Sequence, residues 1–294
     1  MTIGHTALFD SREFLRRKGV LFLRVYQFAR PATVTVKIMK QVFGVMLGLL
    51  VGVQFTFAMD AHEILQKVAE QTFGETVRVA LEIKTSKNGK SVSQSSLWLI
   101  GRSSKNSTAF LVDFDEPKES RGLRYLIEMR PGQEPRAFMY RPSEGKTVSL
   151  AFDDTSGDMG GTGLSVADVR GFLPRVDDSP VLLREEKFAN RDCWVIRVGK
   201  PENKTERTLW ITKDSFVVLK SESAPSGPGK PIRTFRVIEM FKTERNKEFP
   251  RVEEVLIPDK GLKIEVKQIH GVFGIELPDE LFDPEKFGTF KWRD

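Results

Sequence analysis

The chain has 294 residues, with 46 Lys/Arg against 40 Asp/Glu, three His and one Cys, for a formal charge of +6. Eight of the basic and two of the acidic residues fall within 1–58, which leaves 38 of each sign downstream, so the net charge makes no case for nucleic-acid binding. A single cysteine, Cys193, rules out an intramolecular disulfide, and stability must come from a core that a chain of this length can bury.

In chain order, the first recognisable element is an export signal. Met39-Lys40 is followed by an apolar run from Val42 to Val53 and then Gln54-Phe-Thr-Phe-Ala58. A basic start, a short hydrophobic stretch and small residues before a cut are the parts of a secretory signal peptide. The run is well short of the roughly 20 residues a membrane span takes. Residues 1–58 are therefore expected to be a targeting region, with a Sec-type signal at about 39–58 cleaved near Ala58, and 59–294 the exported domain. Either Met39 is the true start, and 1–38 a wrongly chosen one, or the signal has a long basic leader. No cysteine stands directly after the small residues of the signal, which argues against a lipid anchor.

The domain is predicted to open with a helix. Asp60 is an N-cap, Glu63 completes a capping box, and Ile64, Leu65, Val68, Ala69 and Phe73 recur at helical spacing up to Gly74. The period then changes to two, with Val77, Val79, Leu81 and Ile83 alternating with polar residues. Asn88-Gly89 predicts a tight hairpin into a return strand from Ser91 to Ile100. Further strands are predicted at 108–114, 124–130, 136–140 and 147–152. A second helix is predicted over Ser165–Leu173, capped by Ser165 and Asp168. Strands resume at 193–198, 207–212, 217–221, 234–243, 251–257 and 263–269, and Pro278–Pro284 reads as a short helical turn. The fold class is mainly β, with about ten strands, and no βαβ alternation offers a parallel nucleotide-binding sheet.

Large side chains stand two apart on several of these strands: Trp98 and Ile100; Phe110, Val112 and Phe114; Tyr125 and Ile127; Phe138 and Tyr140. With 22 Phe and 4 Trp, they are candidates for an apolar cavity lining as well as for packed core. An acyl chain suits such a lining because it needs apolar area and no directional bonds.

Catalytic and metal chemistry find no support. His62 and His270 are far apart, and neither H-x-x-x-H nor C-x-x-C occurs. Asp153, Asp154 and Asp158 among Gly157, Gly160, Gly161 and Gly163 match neither a calcium loop nor a phosphate loop, and read as a mobile loop that could hinge a lid. The pairs Asp177/Asp178 and Glu185/Glu186 read as solvated faces, and Cys193 as a buried inert thiol. No cofactor, metal site or enzymatic activity is expected.

The domain resembles the periplasmic LolA/LolB-like superfamily, in the "outer membrane lipoprotein-sorting protein" branch. The resemblance rests on Asp60-Ala-His-Glu-Ile-Leu65, Ser96-Leu-Trp-Leu99, Ala109-Phe-Leu-Val-Asp-Phe114 with Pro117 and Gly122, Phe138-Met-Tyr-Arg-Pro142, Met159-Gly160 leading to Leu164-Ser-Val-Ala-Asp168, and Leu209-Trp-Ile-Thr-Lys-Asp214. Gly161-Thr-Gly163 departs from the branch's usual Ser-Asp-Phe. The resemblance implies an open antiparallel half-barrel with helices over its concave face. It also implies a carrier of lipid or lipoprotein acyl chains between envelope membranes, with transient membrane-surface contact and an inner-membrane lipid exporter as a partner. The alternative it carries is an envelope sensor or protein-interaction module built on the same half-barrel.

Overall fold

The computed structural model describes residues 59–73, 76–104, 107–130, 133–151, 158–171, 179–199, 205–227, 229–244 and 246–293. All of them belong to the unit Ala58–Asp294. The predicted signal, Gly74, Phe152, Asp153, Asp154, Gly157, Phe172, Leu173, Asp177 and Asp178 lie outside the described residues. No helix among the described residues is long and apolar enough to cross a membrane.

Helix α1 spans Ala61–Phe73. The Glu63 amide donates to the Asp60 carboxylate at 2.8 Å, which is the predicted N-cap, and Ile64, Leu65 and Val68 are buried as their spacing requires. Then come β1 (Val77–Lys87), β2 (Lys90–Ser103), β3 (Thr108–Glu116), β4 (Arg124–Met129), β5 (Arg136–Arg141) and β6 (Lys146–Leu150). The short helix α2 (Val166–Gly171) follows. The second run holds β7 (Val181–Phe188), β8 (Arg191–Val198), β9 (Thr205–Thr212), β10 (Val218–Pro225), β11 (Arg233–Lys242), β12 (Glu248–Ile257) and β13 (Leu262–Phe273). The predicted C-terminal turn is a 3-10 turn at Asp279–Phe282.

The thirteen strands form one antiparallel sheet in the order β6-β5-β4-β3-β2-β1-β13-β12-β11-β10-β9-β8-β7. The sheet is open, with β6 and β7 at its edges. The count of about ten was too low, and the strand wholly missed is β7. Its Arg184-Glu-Glu-Lys187 stretch reads as solvated surface because β7 is an edge strand whose side chains are largely exposed. The predicted Asn-Gly hairpin joins β1 to β2, with Asn88 at φ 50° and Gly89 at φ 79°, the left-handed pair that a type I′ turn needs. All connections are between sequence neighbours except at the centre, where β1 and β13 pair from Val77–Phe273 to Lys87–Leu262 with one irregularity at Ala80/Leu81.

Both faces of the β1–β5 half are buried. On one face, Ile83, Leu97, Val112, Phe114, Tyr125, Ile127, Ala137 and Met139 form a core with Val255, Ile264 and Val266. On the other, Ile100, Leu111, Leu126 and their neighbours are covered by the C-terminal segment through Leu281, Phe282 and Phe287. Helix α1 packs on β8 and β9 through Ile196, Val198, Leu209 and Ile211.

Charge fixes the C-terminal segment in place. Asp113, fully buried, pairs with Arg124 at 3.1 Å and Arg293 at 2.8 Å, and accepts the Trp292 indole N–H at 2.8 Å. Arg124 also donates to the carbonyls of Phe287 at 2.7 Å and Phe290 at 2.8 Å. Removing the carboxylate strands a largely buried guanidinium. Asp113→Ala is therefore expected to cost about 3–5 kcal/mol in chemical denaturation. Trp292 loses its packing with it, so the native fluorescence emission should shift to the red.

Candidate functional site

A cavity of about 270 Å³ lies on the face opposite the C-terminal segment. Its floor is built by period-two alternation: Val77, Val79, Leu81 and Ile83 of β1, Leu97 and Leu99 of β2, and Phe110, Val112 and Phe114 of β3. The β1 stretch from Val77 to Ile83 is about 20 Å long at 3.3 Å per residue. Phe249 and Phe273, stacked with centroids 4.8 Å apart, stand at the Val77 end. The Ile83 end is closed by Met159, Thr162 and Leu164. Beside the floor, the Phe110 ring lies over Gly101, where an added Cβ would stand 2.9 Å from it, so glycine lets the ring lie flat on β2.

The loop before α2 is tied to this face by hydroxyls. Thr85 donates to the Thr162 carbonyl at 2.7 Å, Ser93 to Gly161 at 2.8 Å and Ser120 to Gly160 at 3.1 Å. Gly160 (φ 59°) packs against Phe114 so closely that a Cβ would lie 2.5 Å from the ring. At the start of α2, the Ser165 amide and hydroxyl donate to Asp168 at 2.6 and 2.8 Å, which is the predicted cap. Asp168 is also ion-paired with Arg233 of β11, so an arginine joins α2 to the sheet. On the other flank, Gln71 of α1 borders the cavity and donates to the Glu248 carbonyl at 3.1 Å.

Of the nine side chains singled out from the sequence, Phe110, Val112 and Phe114 border the cavity. Tyr125 and Ile127 share its face in the packed core, where Tyr125 meets Phe114 edge-on at 6.1 Å and burial pushes its phenol above the usual value. Trp98, Ile100, Phe138 and Tyr140 stand on the opposite face, against the C-terminal segment, with Trp98 edge-on to Trp292 at 5.7 Å. Alternation groups residues within a strand, but only pairing register says which face each group takes. A signal of the difference was present. Leu97-Trp-Leu-Ile100 and Ala109-Phe-Leu-Val112 are uninterrupted apolar runs, the pattern of strands buried on both sides.

The cavity holds one group the sequence reading passed over. Glu253 lies one strand from the centre, in the cross-strand row Ser95–Ile83–Val266–Glu253. It is in phase with the buried Val255 and Ile257, so period two could have placed a carboxylate on the apolar face. Glu253 is part-buried and is one of the residues that line the cavity. Glu253 has no hydrogen bond or ion pair among the described residues, and desolvation pushes its carboxyl up to about 7. The other charged side chains at the cavity are paired: Arg102 with Asp279, Glu248 with Arg191 at 2.7 Å, and Arg251 with Glu239 at 3.7 Å.

No group of residues able to hold a metal ion occurs among the described residues. Cys193 is fully buried, and burial pushes its thiol up, away from a reactive thiolate.

The open sheet with a cavity on one face is the LolA-like fold. It is shared with an outer membrane lipoprotein-sorting protein domain from Vibrio parahaemolyticus, at TM-score 0.68 and 16% identity over 78% of this chain and 98% of that one. A DUF1329 family protein from Desulfovibrio piger gives TM-score 0.66 and 16% identity over 76% of this chain and 95% of that one. A LolA superfamily protein from Nitrosomonas europaea gives 0.57 and 19% identity over 77% of this chain and 98% of that one. No curated protein matches the sequence. A family model described as an uncharacterized protein matches residues 106–289, and the chain belongs to that family. The resemblance to the LolA/LolB-like superfamily thus holds for the fold.

The raised Glu253 carboxyl has a definite consequence for stability. A folded pKa near 7 against an unfolded value near 4.5 means the folded state holds the proton longer. Stability is therefore highest below the unfolded pKa and is lost as pH rises through the window up to about 7. Glu253→Gln should raise stability by about 2–3 kcal/mol at pH 8 and by little at pH 4.5, read from denaturation midpoints at the two pH values.

Proposed function

We propose that this protein is an exported carrier that shields an acyl chain in the cavity above β1–β3. The observation that carries the reading is the cavity itself, about 270 Å³ and bordered mainly by aliphatic and aromatic side chains. Such a surface gains from apolar contact and offers little to a polar solute. The fold shared with a lipoprotein-sorting domain supports the same reading. In this proposal α1 and the loop leading into α2 act as the lid, because they flank the cavity, where hydrogen bonds of Gln71, Thr85, Ser93 and Ser120 link them to the sheet. The chain is a binding protein and not an enzyme, and its partners are a donor in the inner membrane and an acceptor membrane surface.

Export is part of the proposal. Residues 39–58 would direct the chain to the periplasm and be removed near Ala58. N-terminal sequencing of the exported form is expected to find a start close to Met59. A product that retains Val42–Val53 would make the protein a tethered one.

Mass spectrometry of organic extracts from gently purified protein is expected to find bound lipid. Leu99→Trp, which fills the cavity from β2, should weaken uptake of a fluorescent fatty acid about tenfold or more, some 1.4 kcal/mol, with the circular dichroism spectrum unchanged. Absence of both co-purifying lipid and fatty-acid uptake would overturn the carrier reading. Stoichiometric recovery of one protein partner by the lipid-free form would replace it with an interaction module.

A further inference from the structure

Glu253 makes the cavity chemically one-sided. A carboxyl group set among Ile83, Val255 and Val266 is an expensive arrangement unless something compensates it. Among the described residues nothing does. Arg102, Glu248 and Arg251 at the cavity are each held by a partner of opposite charge, and Arg191 and Lys242 are both directed at Glu248. On the adjoining strands, Arg236 and Lys263 are committed to Glu254, the neighbour of Glu253 that points to the other face. The cavity therefore carries one uncompensated acid, placed within the sheet and away from its edges.

From this placement we infer that Glu253 selects the cargo's polar group, and that the cargo is an amphiphile whose apolar chain carries a cationic amine. The inference rests on the carrier reading and specifies its ligand. An ammonium supplies both the opposite charge and the N–H donors the carboxylate lacks, in surroundings where apolar neighbours reduce the screening by water. Where Glu253 is ionised, a carboxylate or phosphate in the same position meets a like charge and no donor. A hydroxyl satisfies the hydrogen bond alone. The aliphatic stretch from Leu81 and Leu97 to Val112 then receives the chain.

The test uses three probes with one chain length and different ends: dodecylamine, dodecanol and dodecanoate. Each displaces Nile red from the full domain at pH 8, where the amine is protonated and the acid ionised. Wild type is expected to bind dodecylamine at least tenfold more tightly than dodecanoate, with dodecanol between them. Glu253→Gln should bring the amine and the carboxylate within about threefold of each other while leaving dodecanol nearly unchanged. Glu253→Leu should do the same, which separates loss of charge from loss of fold. Equal binding of all three by wild type, or an amine preference that survives in both variants, would overturn the role of Glu253 and leave the carrier reading standing. Failure of every probe to displace the dye would overturn both.

Discussion

The buried Asp113 is the constraint on which the arrangement of the molecule turns. It stands on β3 with its side chain on the face away from the cavity, and Arg124, Arg293 and Trp292 converge on it. A carboxylate with no exposed surface is tolerable only with that many donors. By recruiting them it lays the C-terminal segment over β2–β5. Leu281, Phe282 and Phe287 then fill the space that Trp98, Ile100, Leu111 and Leu126 would otherwise present to water. With one face of the sheet sealed by chain, the other can remain incompletely filled without leaving the domain short of core.

The cavity persists for local reasons. The loop at its Ile83 end is held by hydroxyl-to-carbonyl bonds from Thr85, Ser93 and Ser120, which place glycine backbone over the aromatic ring of Phe114. A loop with side chains at Gly160 could not sit so low. At the Val77 end, Phe249 and Phe273 stack against each other. Between them Glu253 opposes collapse, because closing apolar side chains over a carboxylate deepens its desolvation.

Much of this was legible in the sequence, and the parts that were not share one cause. Asp60, Asn88-Gly89 and Ser165 with Asp168 act through neighbours a few residues away, so helix starts and the central hairpin could be read directly. The alternation of Val77, Val79, Leu81 and Ile83 located a strand and a face. Which face Trp98 or Phe138 would take depends on a segment more than a hundred residues later, and no local pattern carries that information. The strand β7 was missed for a related reason: an edge strand has one neighbour, little burial and therefore little periodicity to read. Glu253 was hidden by its companion Glu254, since two adjacent acids look like surface until the phase of Val255 and Ile257 is followed back to them.

The pairing of β1 with β13 sets the order in which the sheet can be completed. A chain made amino end first presents β1 early, and β13 only after nearly everything else has emerged. Until then β1 keeps one bare edge, and the apolar faces of β2–β5 lack the segment that will cover them. The sheet is thus completed in a late step, when its last strand docks at the middle. A protein built in this way depends on whatever keeps its unpaired strands apart until then, and its yield is set as much by that protection as by the stability of the finished fold.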